Sequence, residues 1–152
     1  MRFSPMPNTR RERIIIAVVE RAGTITQANG YNTDIGRNTL RATTKVDPTL
    51  LPACVIFPLV ETSEKIGSGD YLCTMPVKIE AVALVGTDNP SVVSELILGD
   101  IRKALTGSPI TPLIEETLYA SGGTNDYSRK DTVAVTTLFT IKYFSKITDP
   151  YE

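Results

Sequence analysis

Alternating apolar strands interleaved with capped amphipathic helices predict an α/β (α+β) fold. The expectation is a mixed or mainly antiparallel sheet packed by two main helices, as one two-layer domain over residues 1–152. Three stretches carry it. Val77, Ile79, Ala81, Ala83 and Val85 recur at the two-residue period of a half-buried strand. That run feeds a helix started by Asp88-Asn89-Pro90, in which Val92, Val93, Leu96, Ile97, Ile101, Ala104 and Leu105 recur at helical spacing before Gly107. The third stretch is Val133 to Phe144, where Val133, Val135, Thr137, Phe139, Ile141 and Tyr143 define one face of a long strand.

Taken in order, Pro5 and Pro7 make residues 1–8 an extended arm. Thr9-Arg10-Arg11-Glu12 fits a capping box, with Thr9 as cap and Glu12 reaching back. The helix it opens runs to about Ala22 and closes at Gly23. Ile14 to Val19 make it nearly apolar all round, which predicts burial against more than one neighbour. Arg10, Arg11 and Arg13 crowd its first turn, where the positive end of the helix dipole disfavours cations. Either they are simply solvated, or they meet an acidic surface on another subunit. Asn29-Gly30 is a turn pair, Tyr31 to Ile35 a short extended segment, and Thr39 to Thr44 a polar edge strand. Ala53 to Phe57 reads as a covered strand, with a bulge or an edge beginning at Pro58. Glu61 to Asp70 is expected as a long mobile loop, Ile110 to Tyr119 as an extended segment, and Ala120 to Asp131 as a second polar loop. On the outer face of the 77–85 strand Lys78 and Glu80 give way to Val82 and Leu84, so its far end is expected to be covered. A short tail spans 146–152.

Composition narrows the function. The formal net charge of −1 argues against a dedicated nucleic-acid or membrane-surface binder. There is no histidine, the commonest general base, and no tryptophan for a stacking platform. Cys54 and Cys73 sit singly in apolar runs and are expected as buried free thiols. No phosphate-loop, dinucleotide or nucleophile-elbow motif is present. Glu115 and Glu116 are strand neighbours and point to opposite faces, so they do not share a site. Glu61 with Glu64 is a further carboxylate pair, and Asn125, Asp126 and Asp131 offer at most a loose oxygen cage matching no calcium loop. Neither catalysis nor a cofactor or metal ion is expected.

The succession of features is similar to the tail terminator (tail completion) proteins of long-tailed bacteriophages, relatives of lambda minor tail protein U. The resemblance spans about Thr9 to Phe144. Its parts are the N-terminal helix followed by Gly30-Tyr31-Asn32-Thr33-Asp34-Ile35-Gly36, the Leu51–Ile56 strand with its charged loop, and the Val77–Val85 strand leading to Gly99-Asp100-Ile101-Arg102-Lys103-Ala104-Leu105. The long final strand completes it. The resemblance implies a structural virion protein, assembled in the host cytoplasm. It would form a ring, typically six-fold, at the head-proximal end of the tail, where it stops polymerisation of the tail tube and offers a surface to the head-side connector. Its partners would be copies of itself, the tube protein and connector or neck proteins, with DNA passing ungripped and no membrane involved. A head-completion or neck adaptor of the same particle and a small cytosolic ligand-binding α/β module are the alternatives. Candidate subunit and tube contacts are Arg10, Arg11 and Arg13, then Glu61, Glu64, Lys65 and Asp70 in the first loop. Asp126, Tyr127, Arg129 and Lys130 are the candidates in the second. On this reading, charge reversal at Arg10 and Arg11 impairs assembly, followed by native mass, and leaves the monomer's melting temperature nearly unchanged.

Overall fold

The computed structural model describes residues 8–126 and 131–152, the side chain of Asp126 excepted. The arm expected over 1–8 therefore lies, apart from Asn8, outside the described residues. The element order is α1 (Arg10–Ala22), β1 (Thr39–Arg41), β2 (Ala53–Pro58), β3 (Thr62–Ile66), β4 (Asp70–Leu84), α2 (Pro90–Thr106), β5 (Glu116–Asp126) and β6 (Thr132–Lys146). The strands make one six-stranded sheet in the order β1-β2-β4-β6-β5, with β3 also on β4. Only β1 against β2 is parallel, so the sheet is mixed and mainly antiparallel.

At its centre β4 and β6 pair along their whole lengths, from Asp70↔Lys146 to Leu84↔Thr132. Period-two burial follows on both. Cys73, Met75, Val77, Ile79, Ala81 and Ala83 of β4 and Val133, Val135, Phe139, Ile141 and Tyr143 of β6 face the helices and are buried. Packed on that face, α1 lies over β1 and β2, α2 over β5 and β6, and the helices touch each other. The core is therefore a single cluster between one sheet face and two helices.

Several local expectations change. Thr9 Oγ1 does accept the Glu12 N–H at 3.0 Å, but Glu12 does not reach back. Its carboxylate lies 2.5 and 2.7 Å from Arg41 Nη1 on β1, because a charged partner outcompetes a backbone N–H. Helix α1 buries one face (Ile14, Ile15, Val18, Ala22) while Ile16 stands 37% exposed, and that face meets α2, β1 and β2, so the expected burial against more than one neighbour holds. The Glu61–Asp70 loop is mostly a strand. β3 pairs Thr62↔Thr74 through Ile66↔Asp70, leaving only residues 67–69 as a turn. β5 likewise carries regular pairing through residues expected as loop, up to Asp126↔Ala134, with register shifts after Tyr119 and Thr124. It begins at Glu116, so only the end of the extended segment expected from Ile110 is strand. Both misreadings have one cause. Edge strands draw their stability from backbone bonds to a long neighbour and need no apolar alternation of their own.

At Pro58 the bulge, one of the two alternatives expected, is present. Three residues (59–61) oppose two (75–76) between the β2 and β3 ladders, which is a bulge, and Leu59 N–H returns to the Pro76 carbonyl at 2.9 Å.

Tyr31 to Ile35 is not extended. Asp100 of α2, only 2% exposed, accepts the N–H groups of Asn32 (3.1 Å) and Thr33 (2.7 Å) and the Thr33 hydroxyl (2.6 Å), and the chain then enters a 3₁₀ turn at Ile35–Arg37. A Cβ added at Gly36 would stand 2.7 Å from Ile25 N and 2.8 Å from its carbonyl oxygen, so only glycine fits this approach. A second clamp comes from Arg21 of α1, which donates to the Ala104 (3.0 Å) and Pro109 (2.8 Å) carbonyls and caps the negative end of α2.

Asp100→Ala leaves those donors unpaired beneath α2. It is expected to cost about 2–3 kcal/mol of stability in urea unfolding. A loss under about 0.5 kcal/mol would show the clamp to be dispensable.

Candidate functional site

The candidate residues fall into two groups at opposite regions of the sheet. Around the bulge, Arg11 Nη1 donates to Glu61 Oε1 at 3.2 Å and Nη2 to the Leu59 carbonyl at 2.8 Å. The same Glu61 oxygen accepts the Tyr143 hydroxyl of β6. Arg10 N–H donates to the Pro150 carbonyl at 2.9 Å, and Arg13 donates to the Tyr151 carbonyl. Arg10 Nε is buried without a partner among the described residues. The first turn of α1 therefore sutures the bulge to the chain's tail, and Arg11 has partners within the chain, so simple solvation does not describe it. Charge reversal at Arg11 sets two carboxylates against each other, so the expectation of unchanged monomer stability gives way to a loss.

Glu64 and Lys65 lie exposed on β3 opposite Leu72 and Tyr71, and Asp70 begins β4 opposite Lys146. Asp126 ends β5 at the far pole, opposite Ala134. Tyr127, Arg129 and Lys130 lie outside the described residues. The expected oxygen cage gains nothing from Asn125, whose Oδ1 accepts the Thr136 hydroxyl at 2.5 Å. Among the described residues no group of three or more cysteine, aspartate or glutamate side chains is placed to hold a metal ion.

Sequence reasoning missed Tyr143 and Cys73 as members of this junction. Tyr143 reads as an ordinary core position on the strand's apolar face. Its hydroxyl meets Glu61 only because β6 and the bulge flank β4 on opposite sides. Burial pushes the Tyr143 phenol well above its ordinary value, and the hydrogen bond to Glu61 and that carboxylate's charge push it further. Cys73, paired with Tyr143 across the ladder, is raised by burial first and by Glu61 second. Cys54 is pushed up to about 12 by burial alone. Both thiols are free and buried, as expected, and their raised values keep them protonated and unreactive at neutral pH. This is a packed polar junction, not a nucleophilic centre.

Comparison with protein-family models and with curated proteins finds no match to this chain.

The raised values fix the sign of the alkaline response. A group that holds its proton more tightly when folded contributes stability in full below its unfolded value. That contribution is lost as pH rises through the folded value. For Cys54 the window opens at the ordinary 9.0 and extends to about 12, and Tyr143 adds to it from its ordinary 10.0 upward. The melting temperature is therefore expected to hold between pH 7 and 8 and to fall steadily above about pH 9. In Tyr143→Phe the neutral stability drops by about 1–2 kcal/mol and the alkaline slope becomes shallower. A melting temperature flat to pH 11 would refute this.

Proposed function

We propose that this chain is the tail terminator of a long-tailed bacteriophage. It forms a ring on the head-proximal end of the tail tube, ends tube growth and offers its other face to the connector. One observation carries most weight. The β4–β6 ladder spans 15 residue pairs, about 45–50 Å at strand rise. The β3–β4 turn at residues 67–69 lies at one end of it, and the end of β5 with the start of β6 at the other. A stiff subunit with a polar hairpin at one pole and the paired ends of β5 and β6 at the other is suited to bridging two different partners, with its flanks left for neighbouring copies. The element order agrees with that role: capped helix, covered strand with charged hairpin, long strand into helix, and final long strand. Among the described residues neither the junction around Glu61 nor the β3–β4 hairpin brings together a nucleophile, a general base and a substrate cavity, so the geometry offers no support for an enzyme.

The test is native mass across concentration with negative-stain images of the same fractions, followed by addition of the protein to growing tubes. Closed rings, or tubes that stop at their normal length when the protein is added, support the reading. A monomer that leaves tubes growing past that length overturns it. Rings that bind connectors and ignore tubes would instead make the chain a neck adaptor. Glu64→Ala with Lys65→Ala, both exposed on the β3–β4 hairpin, is expected to weaken tube capping while changing stability by about 0.5 kcal/mol or less. Full capping by this variant would move the tube contact to the other pole.

A further inference from the structure

The turn pair Asn29-Gly30 carries chemistry that the proposed role leaves unused. It is the one asparagine followed by glycine; the other five precede threonine, proline or aspartate. In such a pair the Gly30 nitrogen can attack the Asn29 carboxamide carbon. The N–Cγ bond forms, the Cγ–Nδ2 bond breaks, and the Gly30 proton leaves with Nδ2 as ammonia. Water then opens the cyclic imide at either carbonyl, giving aspartate or isoaspartate. Glycine favours the attack because no Cβ hinders the approach or restricts the backbone.

The fold holds the two reacting groups apart. Residues 27–30 are exposed, in the connection between α1 and β1. Gln27–Asn29 forms a 3₁₀ turn, and Gly30 ends it with φ 91°. The Gly30 N–H donates to the Gln27 carbonyl at 3.0 Å, so the attacking nitrogen is engaged. The Asn29 carboxamide is turned back, its Nδ2 donating to the Thr24 carbonyl at 2.9 Å. Attack needs its carbon to swing forward onto residue 30. The Asn29 and Tyr31 N–H groups both reach the Thr26 carbonyl, at 3.0 and 3.2 Å. Beyond the turn, Asp34 Oδ1 accepts the Gln27 N–H at 2.8 Å, and the Asp100 clamp fastens Asn32 and Thr33.

We infer that Asn29 is a modification site guarded by the fold, which deamidates only when the 24–34 segment opens. The inference does not depend on the tail-terminator reading. Water reaches the turn freely, so the guard is conformational, and the rate follows the population of the opened segment. The product does not close the turn in the same way. Either acid replaces the Nδ2 donor with a carboxylate oxygen, which sets two acceptors against each other at the Thr24 carbonyl. Isoaspartate also adds its side-chain methylene to the backbone, which shifts the Gly30 N–H off the Gln27 carbonyl. Deamidation therefore adds one negative charge and irreversibly loosens the connection that Asp100 fastens to α2.

Peptide mass mapping over a time course in mildly alkaline buffer tests this, with fragmentation that separates aspartate from isoaspartate. The folded chain is compared with the chain unfolded in guanidinium chloride and with folded Asp34→Ala, which removes the acceptor of the Gln27 N–H. Melting curves establish which samples are folded. The unfolded chain is expected to convert at residue 29 ahead of every other asparagine, and the folded chain at least about tenfold more slowly. Asp34→Ala is expected to fall between them. Asn29→Asp, which installs one product directly, is expected to melt below wild type. Folded and unfolded chains that convert at one rate overturn the inference, as does earlier conversion at another asparagine. A folded Asp34→Ala chain no faster than wild type overturns the guarding role of the turn bonds. An Asn29→Asp chain that melts like wild type overturns the loosening. If Asp34→Ala does not fold, the comparison of folded with unfolded wild type still decides.

Discussion

The ladder between β4 and β6 is the constraint on which everything else depends. Fifteen consecutive pairs fix a register in which a slip of one residue would turn the buried faces of both strands into solvent. Phe139, Ile141, Met75, Val77 and Ile79 are each at most 1% exposed, and burying side chains of this size is worth about 1.5–3 kcal/mol each. A one-residue slip forfeits that burial. The other strands are recruited by this pair: β2 and β3 in series along the free edge of β4, and β5 along that of β6.

Serial recruitment explains the bulge, and the bulge explains the polar junction. Pro58 cannot donate to a ladder, so β2 ends there and the chain resumes pairing at Thr62 one residue out of step. The displaced residues carry Glu61 under the first turn of α1, where Arg11 and the Tyr143 hydroxyl share one of its oxygens. A carboxylate with two donors is well satisfied, and burial first, then the Glu61 carboxylate, raise the Tyr143 phenol and the Cys73 thiol beside it. Two of the three arginines in the first helical turn, unfavourable by the helix dipole alone, are accommodated because the bulge and the tail supply oxygens: the Glu61 carboxylate and Leu59 carbonyl for Arg11 and the Tyr151 carbonyl for Arg13.

The helix layer is held by two polar clamps as well as by apolar area. Asp100 gathers the 32–33 backbone and Arg21 closes the end of α2, so the segment between α1 and β1 is fastened to α2 at both ends. What the clamps leave uncovered is informative. Among the described residues, Leu84, Val92 and Leu96 at the upper rim and Leu59 and Val60 at the bulge are apolar side chains left exposed.

Periodic burial was determined by the sequence alone, because side-chain alternation on a strand and 3.6-residue recurrence on a helix are local properties. Hence the inward faces of β4 and β6, the Thr9 and Asn89 caps, the Pro58 bulge and the free buried thiols were legible. Pairing was decided only by the tertiary structure. The strand at Thr62–Ile66 and the 120–126 part of β5 were expected as loops and exist because a longer neighbour offers them hydrogen bonds. The partners Arg11–Glu61, Glu12–Arg41 and Asp100–Thr33 stand 50, 29 and 67 residues apart. Nothing local marks them, since a charge chooses its partner by distance in space. For the same reason the exposed rim at Leu84 and Leu96 was illegible: an apolar period tells which residues share a face, and the arrangement of neighbours decides whether that face is covered.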